Sequence, residues 1–244
     1  MQPISTTDDI KRLGTILGVW AHPDDETFTS AGIMAAAVQN GQTVVCVTAT
    51  RGELGIQNES RWPANQLGAI RTHELEQSYE ILGIKHHYWL DYADGSCKDC
   101  DEAEAVERIA KLIQKYRPDT ILTFGPDGMT GHEDHKTASK WAGLAAKHAE
   151  SKAKMYHMAT TEEQYEAIKE ADKKFNIYFN IDKPVTCPPD KCAILMQLDD
   201  GLYQKKLAAL KAMESQTEGL MRVFGGSLRT TFGTEAFVEA TNAE

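Results

Sequence analysis

The stretch Thr15-Ile16-Leu17-Gly18-Val19-Trp20-Ala21 runs directly into His22-Pro23-Asp24-Asp25-Glu26. The first seven residues are a short apolar run of the kind that forms a buried strand. After the polar turn, Ala31, Met34, Ala35 and Val38 recur at helical spacing, and Gly41 stops the helix. Strand, polar turn and helix in that order open an α/β fold.

The alternation continues outward. Residues 43–50 (TVVCVTAT) form a second strand rich in β-branched side chains. Leu67, Ile70, Leu75, Tyr79 and Leu82 mark a helix ending at Gly83, and residues 86–90 are a third strand candidate. Residues 101–116 are the clearest helix: acidic residues crowd its first turn, Ala105, Ile109, Leu112, Ile113 and Tyr116 form its stripe, and Pro118 lies just past its end. A strand at 119–124 and a helix at 136–148 follow. Near-continuously apolar strands separated by helices predict a mostly parallel sheet with helices on both faces, a Rossmann-like doubly wound core. From about residue 154 the alternation weakens. Strands are expected at 175–181, 193–198 and 237–240, and a helix at 202–214. This C-terminal part, about 161–244, is read as completing a single domain whose core spans about 12–160.

Composition narrows the function classes. Among 244 residues, 25% are charged and 41% hydrophobic, ordinary for a soluble globular chain. The formal charge of −10, with no run of Lys and Arg, argues against nucleic acid as a partner. Asp8 and Asp9 sit where a signal peptide would need an apolar segment, and no stretch approaches a membrane span. Five cysteines, an odd count, favour a reducing cytoplasmic setting. A homo-oligomer is left open.

The turn after the first strand carries one histidine and three carboxylates where a nucleotide-binding fold would carry G-x-G-x-x-G. Ligands of open α/β sheets bind beyond the carboxyl ends of strands. This turn, stiffened by Pro23, suits a divalent cation better than a bare polyphosphate. A second cluster, Gly131-His132-Glu133-Asp134-His135, follows the strand ending at Phe124 and the turn Gly125-Pro126-Asp127-Gly128. His22, Asp24, Asp25, His132, Asp134 and His135 are therefore expected to meet at one sheet edge. Catalytic zinc takes three nitrogen or oxygen ligands and keeps a position open for water. Spacing alone does not distinguish Asp24 from Asp25 as the ligand. The competing view makes Asp24 a helix cap and His132 and His135 surface residues.

These motifs resemble those of the LmbE-like or PIG-L N-deacetylases. The matching elements are Ala-His-Pro-Asp-Asp-Glu at 21–26, Thr-Arg-Gly-Glu-Leu-Gly at 50–55, Arg71 and Glu74 before Leu82-Gly83, and His-Glu-Asp-His at 132–135. Ala208 to Leu210 leading to Ser215-Gln216, and Gly233-Thr234-Glu235-Ala236-Phe237, extend the likeness across nearly the whole chain. The resemblance implies that His22, Asp25 and His135 bind Zn²⁺, that Asp24 is the general base, and that a protonated His132 faces the oxyanion, held and charged by Asp134. It implies a hydrolase that removes an N-acetyl or other N-acyl group from an amino sugar or glycoconjugate. The alternatives are an amidase cutting a larger amide in a thiol–sugar conjugate, and a non-catalytic metal-binding Rossmann-like protein. Some relatives carry Tyr two positions before the first His of the fourth motif; this chain has Thr130 there.

Arg51 is either a substrate contact or a surface partner of Glu53 or Glu59. Glu26 and Glu53 are either supports of the metal ligands or members of buried ion pairs. Arg71 and Glu74, at i and i+3 on a helix, are expected to pair with each other. Cys97, Cys100, Cys187 and Cys192 offer either a second zinc site or, in the simpler reading, free thiols or a local disulfide. Cys46 lies mid-strand and belongs to the core.

Overall fold

The computed structural model describes residues 3–56, 58–178, 180–224 and 228–240. Seven strands form one sheet: β1 (Ile16–Trp20), β2 (Val44–Thr50), β3 (His86–Tyr92), β4 (Thr120–Thr123), β5 (Lys154–Ala159), β6 (Ile194–Gln197) and β7 (Thr234–Glu239). Their order is β3-β2-β1-β4-β5-β7-β6. The first five pair in parallel, and β7 runs antiparallel to both β5 and β6. The mostly parallel, Rossmann-like sheet expected from the apolar runs is present.

The helices of the first half are α1 (Asp25–Gln39), α2 (Leu67–Leu82), α3 (Glu102–Tyr116), the single turn α4 (Gly128–Gly131) and α5 (Glu133–His148). Strand alternation decides which face each side chain serves. Ile16, Trp20, Val44, Cys46 and Phe124 join Leu75, Leu82, Ala209 and Leu210 in one core layer. Leu17, Val19, Val45, Val47 and Ile121 join Ile109, Ile113, Trp141 and Ala145 in the other. Both faces are therefore covered, and every residue of β1, β2 and β4 is buried. The α3 boundaries follow its local signals: Asp101 caps the Ala103 and Glu104 N–H groups, and Arg117 ends the helix in the left-handed region.

The C-terminal part departs from expectation. Residues 175–178 do not form the expected strand; residue 179 lies outside the described residues. Phe175 instead ends α6 (Glu162–Phe175), Asn176 caps it at φ 52°, and Tyr178 N–H donates to Asp172 Oδ1. The sequence signal for α6 is a reciprocal capping box between Thr161 and Gln164. β5 was not anticipated either, since Lys154 and His157 interrupt its apolar pattern. The expected helix at 202–214 begins earlier, as α7 (Asp200–Ala212), because Asp199 caps it, and α8 (Glu214–Phe224) and α9 (Leu228–Phe232) follow. β7 begins three residues before the expected strand. Among the described residues, no helix is long and apolar enough to cross a membrane.

One buried ion pair ties this part to the first helix. Lys206 of α7 and Glu235 of β7 meet at 2.8 Å with side chains 1% and 0% exposed. Lys206 Nζ donates to Phe28 O, and the Glu235 carboxylate accepts from the Gly32 and Ile33 N–H groups. The pair thus engages Phe28 O and Gly32 N–H, two groups that face each other across one turn of α1. Glu235→Ala strands an ammonium in the core and is expected to cost about 3–5 kcal/mol in urea unfolding. Lys206→Met combined with Glu235→Leu should recover most of that loss. Unchanged unfolding of the single variant would rule out this role.

Candidate active site

The carboxyl ends of β1, β3 and β4 lie at one sheet edge, and each delivers part of a single cluster. β1 turns through His22-Pro23-Asp24 into α1, whose first residue is Asp25. β4 leads through α4 to His132, the residue capping α5, with Asp134 and His135 in that helix's first turn. The loop after β3 adds Asp94. The two expected clusters do meet.

His22 Nδ1 lies 3.1 Å from His135 Nε2, His135 Nε2 lies 3.3 Å from Asp25 Oδ1, and Asp25 Oδ2 lies 3.7 Å from His22 Nδ1. Ligands held about 2.0–2.1 Å from a tetrahedral zinc are separated by about 3.3 Å. The two imidazoles and the Asp25 carboxylate, reached through one oxygen by His135 and the other by His22, approach one another at about that range. The groups around it fix which atoms point inward. His135 Nδ1 lies 2.9 Å from Gly128 O, which accepts its proton and leaves Nε2 with a lone pair. The His135 ring also stacks on Phe124, with centroids 4.1 Å apart. His22 Nε2 lies 3.0 Å from Asp94 Oδ1 and 3.3 Å from Asp134 Oδ2, which leaves Nδ1 for the triangle. Asp25 Oδ2 accepts from the Ala21 and His22 N–H groups. Imidazoles whose far nitrogen is bonded to oxygen are the usual support of zinc-binding histidines.

The electrostatics favour a cation. Burial would lower the pKa of His22, but its contacts with Asp134 and Asp94, together with the Asp25 charge, push it up to about 10. The same field would favour a metal ion at His22, whose binding would displace that proton. Burial pulls His135 down to about 4, against the opposing charge of Asp25, so it is neutral and able to ligate. Asp94 would be pushed up by burial, but the His22 hydrogen bond pulls it well below the usual carboxylate range.

Asp24 sits in the same cavity at φ 130°, a region that side chains rarely adopt. Such backbone costs on the order of 1–3 kcal/mol and persists where surroundings enforce it. Here Arg71 enforces it: its guanidinium donates to Asp24 Oδ2 at 2.9 Å, Pro23 O at 2.6 Å and Gly52 O at 2.7 Å. Gly52 adopts φ 64°, and a Cβ there would strike that guanidinium. Arg71 therefore does not pair with Glu74 as its helical spacing suggested. The Glu74 carboxylate instead accepts from Ser215 N–H and Oγ at 2.7 and 2.6 Å. Burial pushes Asp24 up, the Arg71 charge pulls it down and Asp25 raises it, leaving it at about 7.

His132 lines the cavity, and its Nδ1 accepts from Asp134 N–H at 3.1 Å. Asp134 thus orients His132 through its backbone. Its carboxylate accepts from Gly95 N–H at 2.7 Å and Cys97 N–H at 3.1 Å. Burial and the neighbouring His22 charge lower the pKa of His132, against the pull of Asp134, so the expected protonated form is not favoured. A neutral ring that accepts at Nδ1 carries its proton on Nε2.

Arg51 lies outside the cavity lining. It pairs with Asp91 at 2.6 Å, donates to Thr72 Oγ1 and stacks over Trp89, so neither Glu53 nor Glu59 is its partner. Glu53 accepts from Asp94 N–H at 2.9 Å and so supports the β3 loop. Glu26, fully buried, accepts from Thr27 Oγ1, and its other oxygen has no hydrogen-bond partner among the described residues. Sequence reasoning missed Asp94. Its signal was its place just past a third parallel strand, in a loop read only for cysteines. Besides Asp25, two further groups of possible ligands gather at His22 among the described residues: His132 with His135, and Asp94 with Asp134. Neither includes a cysteine. The cysteines are free thiols, with Cys187 and Cys192 Sγ atoms 3.7 Å apart.

Chelator competition tests this arrangement. Asp94→Asn should lower zinc affinity by about 10–100-fold, the usual cost of losing such a supporting partner. Arg51→Ala should leave it unchanged. Equal affinities for wild type and Asp94→Asn would contradict the assignment.

Known proteins are similar in sequence and in fold. The 1D-myo-inositol 2-acetamido-2-deoxy-alpha-D-glucopyranoside deacetylase of Corynebacterium efficiens is 28% identical, over 93% of this chain and 78% of that relative. Its counterpart in Saccharomonospora viridis is also 28% identical, over 82% of this chain and 84% of its own length. The N,N'-diacetylchitobiose deacetylase of Pyrococcus horikoshii has the same fold, with a TM-score of 0.66 and 22% identity across 95% of this chain and 85% of that one. So does a 4-carboxy-2-hydroxymuconate hydratase of Pseudomonas putida, with a TM-score of 0.63 and 18% identity across 93% and 96% of the two chains. The fold alone therefore does not select a reaction. A family model described as PIG-L, GlcNAc-PI de-N-acetylase, matches residues 17–147, more than half of the sequence, and the chain belongs to that family.

Proposed function

We propose that this chain is a zinc-dependent amide hydrolase that removes an N-acyl group, acetyl in the simplest case, from an amino sugar within a glycoconjugate. The observation that carries this reading is the His22–Asp25–His135 triangle opening into a cavity of about 530 Å³ that Asp24 and His132 also line. A passive metal-binding module would have no need for a carboxylate in strained backbone beside the ligand triangle. The curated relatives supply the substrate class, since their names describe deacetylation of an acetamido sugar.

His22, Asp25 and His135 would hold the ion. A zinc there supplies Lewis acidity, lowering the pKa of water to about 7 and polarising the amide carbonyl. Asp24 accepts the proton of the attacking water and returns it to the departing amine. A carboxyl near 7 suits both transfers at neutral pH. His132 offers its Nε2 proton to the oxygen that gains negative charge, in an orientation set by Asp134 N–H. Arg71 holds Asp24 in place and lowers its pKa.

Three variants separate these roles, assayed by acetate release from methyl N-acetylglucosaminide. Asp24→Ala should keep stoichiometric zinc and lose activity; zinc loss would make Asp24 a ligand instead. His132→Ala should reduce kcat by about 10²–10³. Arg71→Gln removes the cation that favours ionised Asp24, so the carboxyl pKa rises. The acid limb of kcat/KM, which requires the ionised base, should then move to higher pH. A limb that stays in place would disconnect Asp24 from the proton transfer.

A further inference from the structure

Beyond the polar floor, the cavity is walled by hydrocarbon. Phe28 of α1, Met158 of β5, Ile168 of α6, Ile177, Leu220 of α8 and Phe232 of α9 all line it. Five of these are only partly buried; they pack on the core and leave apolar surface facing the cavity, while Phe232 is buried at 7% exposure. The apolar lining continues to the mouth. Leu54 and Ile56 line the same cavity and are 67% and 43% exposed, which makes them two of the large hydrophobic side chains most open to solvent.

Two amides among these walls are already engaged by the protein. Gln164 Nε2 donates to Thr234 O at 2.8 Å, and its Oε1 accepts from Thr161 N–H. Gln216 Nε2 donates to Gly55 O at 2.9 Å. Among the described lining residues, the one guanidinium or ammonium is Arg71, and it is bonded to Asp24, Pro23 O and Gly52 O. A phosphate or a carboxylate placed against this wall would lose hydration and meet no unengaged guanidinium or ammonium among the described lining residues, which is costly. An alkyl or aryl group placed there would bury apolar surface on both sides.

We propose that the natural substrate carries an alkyl or aryl group beside its N-acylated sugar, and that the wall formed by Phe28, Met158, Ile168, Ile177, Leu220 and Phe232 is the subsite for it. This deepens the amide-hydrolase reading and rests on it for the placement of the sugar. The apolar group reaches the wall either as the acyl chain or as the aglycone, and the two sources are separable.

Binding to the zinc-loaded Asp24→Asn protein is measured by calorimetry for three ligands, each below its micelle concentration. They are methyl N-acetylglucosaminide, octyl N-acetylglucosaminide and methyl N-octanoylglucosaminide. At least one octyl ligand should bind roughly tenfold or more tightly than the methyl acetyl reference, as expected for several buried methylenes. The octyl glycoside prevailing assigns the aglycone; the octanoyl amide prevailing assigns the acyl chain. Leu220→Gln in the same background should shrink that advantage. Both octyl ligands binding no better than the reference would overturn the proposal. Wild-type turnover of the methyl reference then tells the two readings apart. Turnover without an octyl preference removes the subsite alone, whereas an octyl preference in binding without any turnover leaves the subsite standing and removes the hydrolase.

Discussion

His22 is gripped from both sides of its ring, and the site is organised around that grip. Nδ1 faces His135 and Asp25; Nε2 faces Asp94 and Asp134. These partners arrive from the ends of three parallel strands. A parallel sheet places all its strand carboxyl ends at one edge, so groups separated by more than a hundred residues become neighbours without any long-range design beyond the strand order. Because β1 lies between β2 and β4, its turn is central at that edge. The carboxylates are tolerated there because they share one imidazole and several backbone N–H groups. That arrangement loses its balance if the imidazole is removed, since Asp94 and Asp134 would then repel each other at close range.

Arg71 supplies the second constraint. Its guanidinium joins the β1 turn, the β2 loop at Gly52 and the Asp24 carboxylate in one fork of hydrogen bonds. A planar fork fixes direction as well as charge, so a lysine would not reproduce it. The strained φ of Asp24 is thereby maintained by α2, which in turn is tied to the start of α8 through Glu74 and Ser215. The C-terminal motifs thus serve the site from a distance. Ser215 positions Glu74, Gln216 bonds the loop at Gly55, and Glu235 with Lys206 anchors the middle of α1.

The floor of the site was legible in the sequence because its signals are local and chemically unusual. His22-Pro23-Asp24-Asp25 and His132 to His135 each place ligand-type residues directly after an apolar run, where ordinary turns carry Gly, Asn or Ser. Asp94 was not legible in that way. It is one of several acids in a loop with no helical or strand period, and only tertiary structure brings it to His22. The Arg71–Glu74 spacing misled for a related reason. A pair at i, i+3 contributes only about 0.2–0.5 kcal/mol on a helix surface, and both residues are buried, where stronger partners outbid that neighbour.

The cavity wall was hidden by a deeper ambiguity. Ile168, Leu220 and Phe232 occupy apolar positions on α6, α8 and α9, and a helical stripe reads the same whether it faces a core or a cavity. Those helices also fall where the β/α alternation fails, after the last of the parallel strands. On the proposed reading, chemistry and specificity are written in different parts of the chain and in different ways. The reacting groups need rare residue types at fixed strand ends, so they stand out one by one. The wall needs only hydrocarbon of suitable shape, and shape arises when several elements pack together. Relatives that keep the floor and change α6, α8 and α9 would keep the reaction while changing what lies beside the amide.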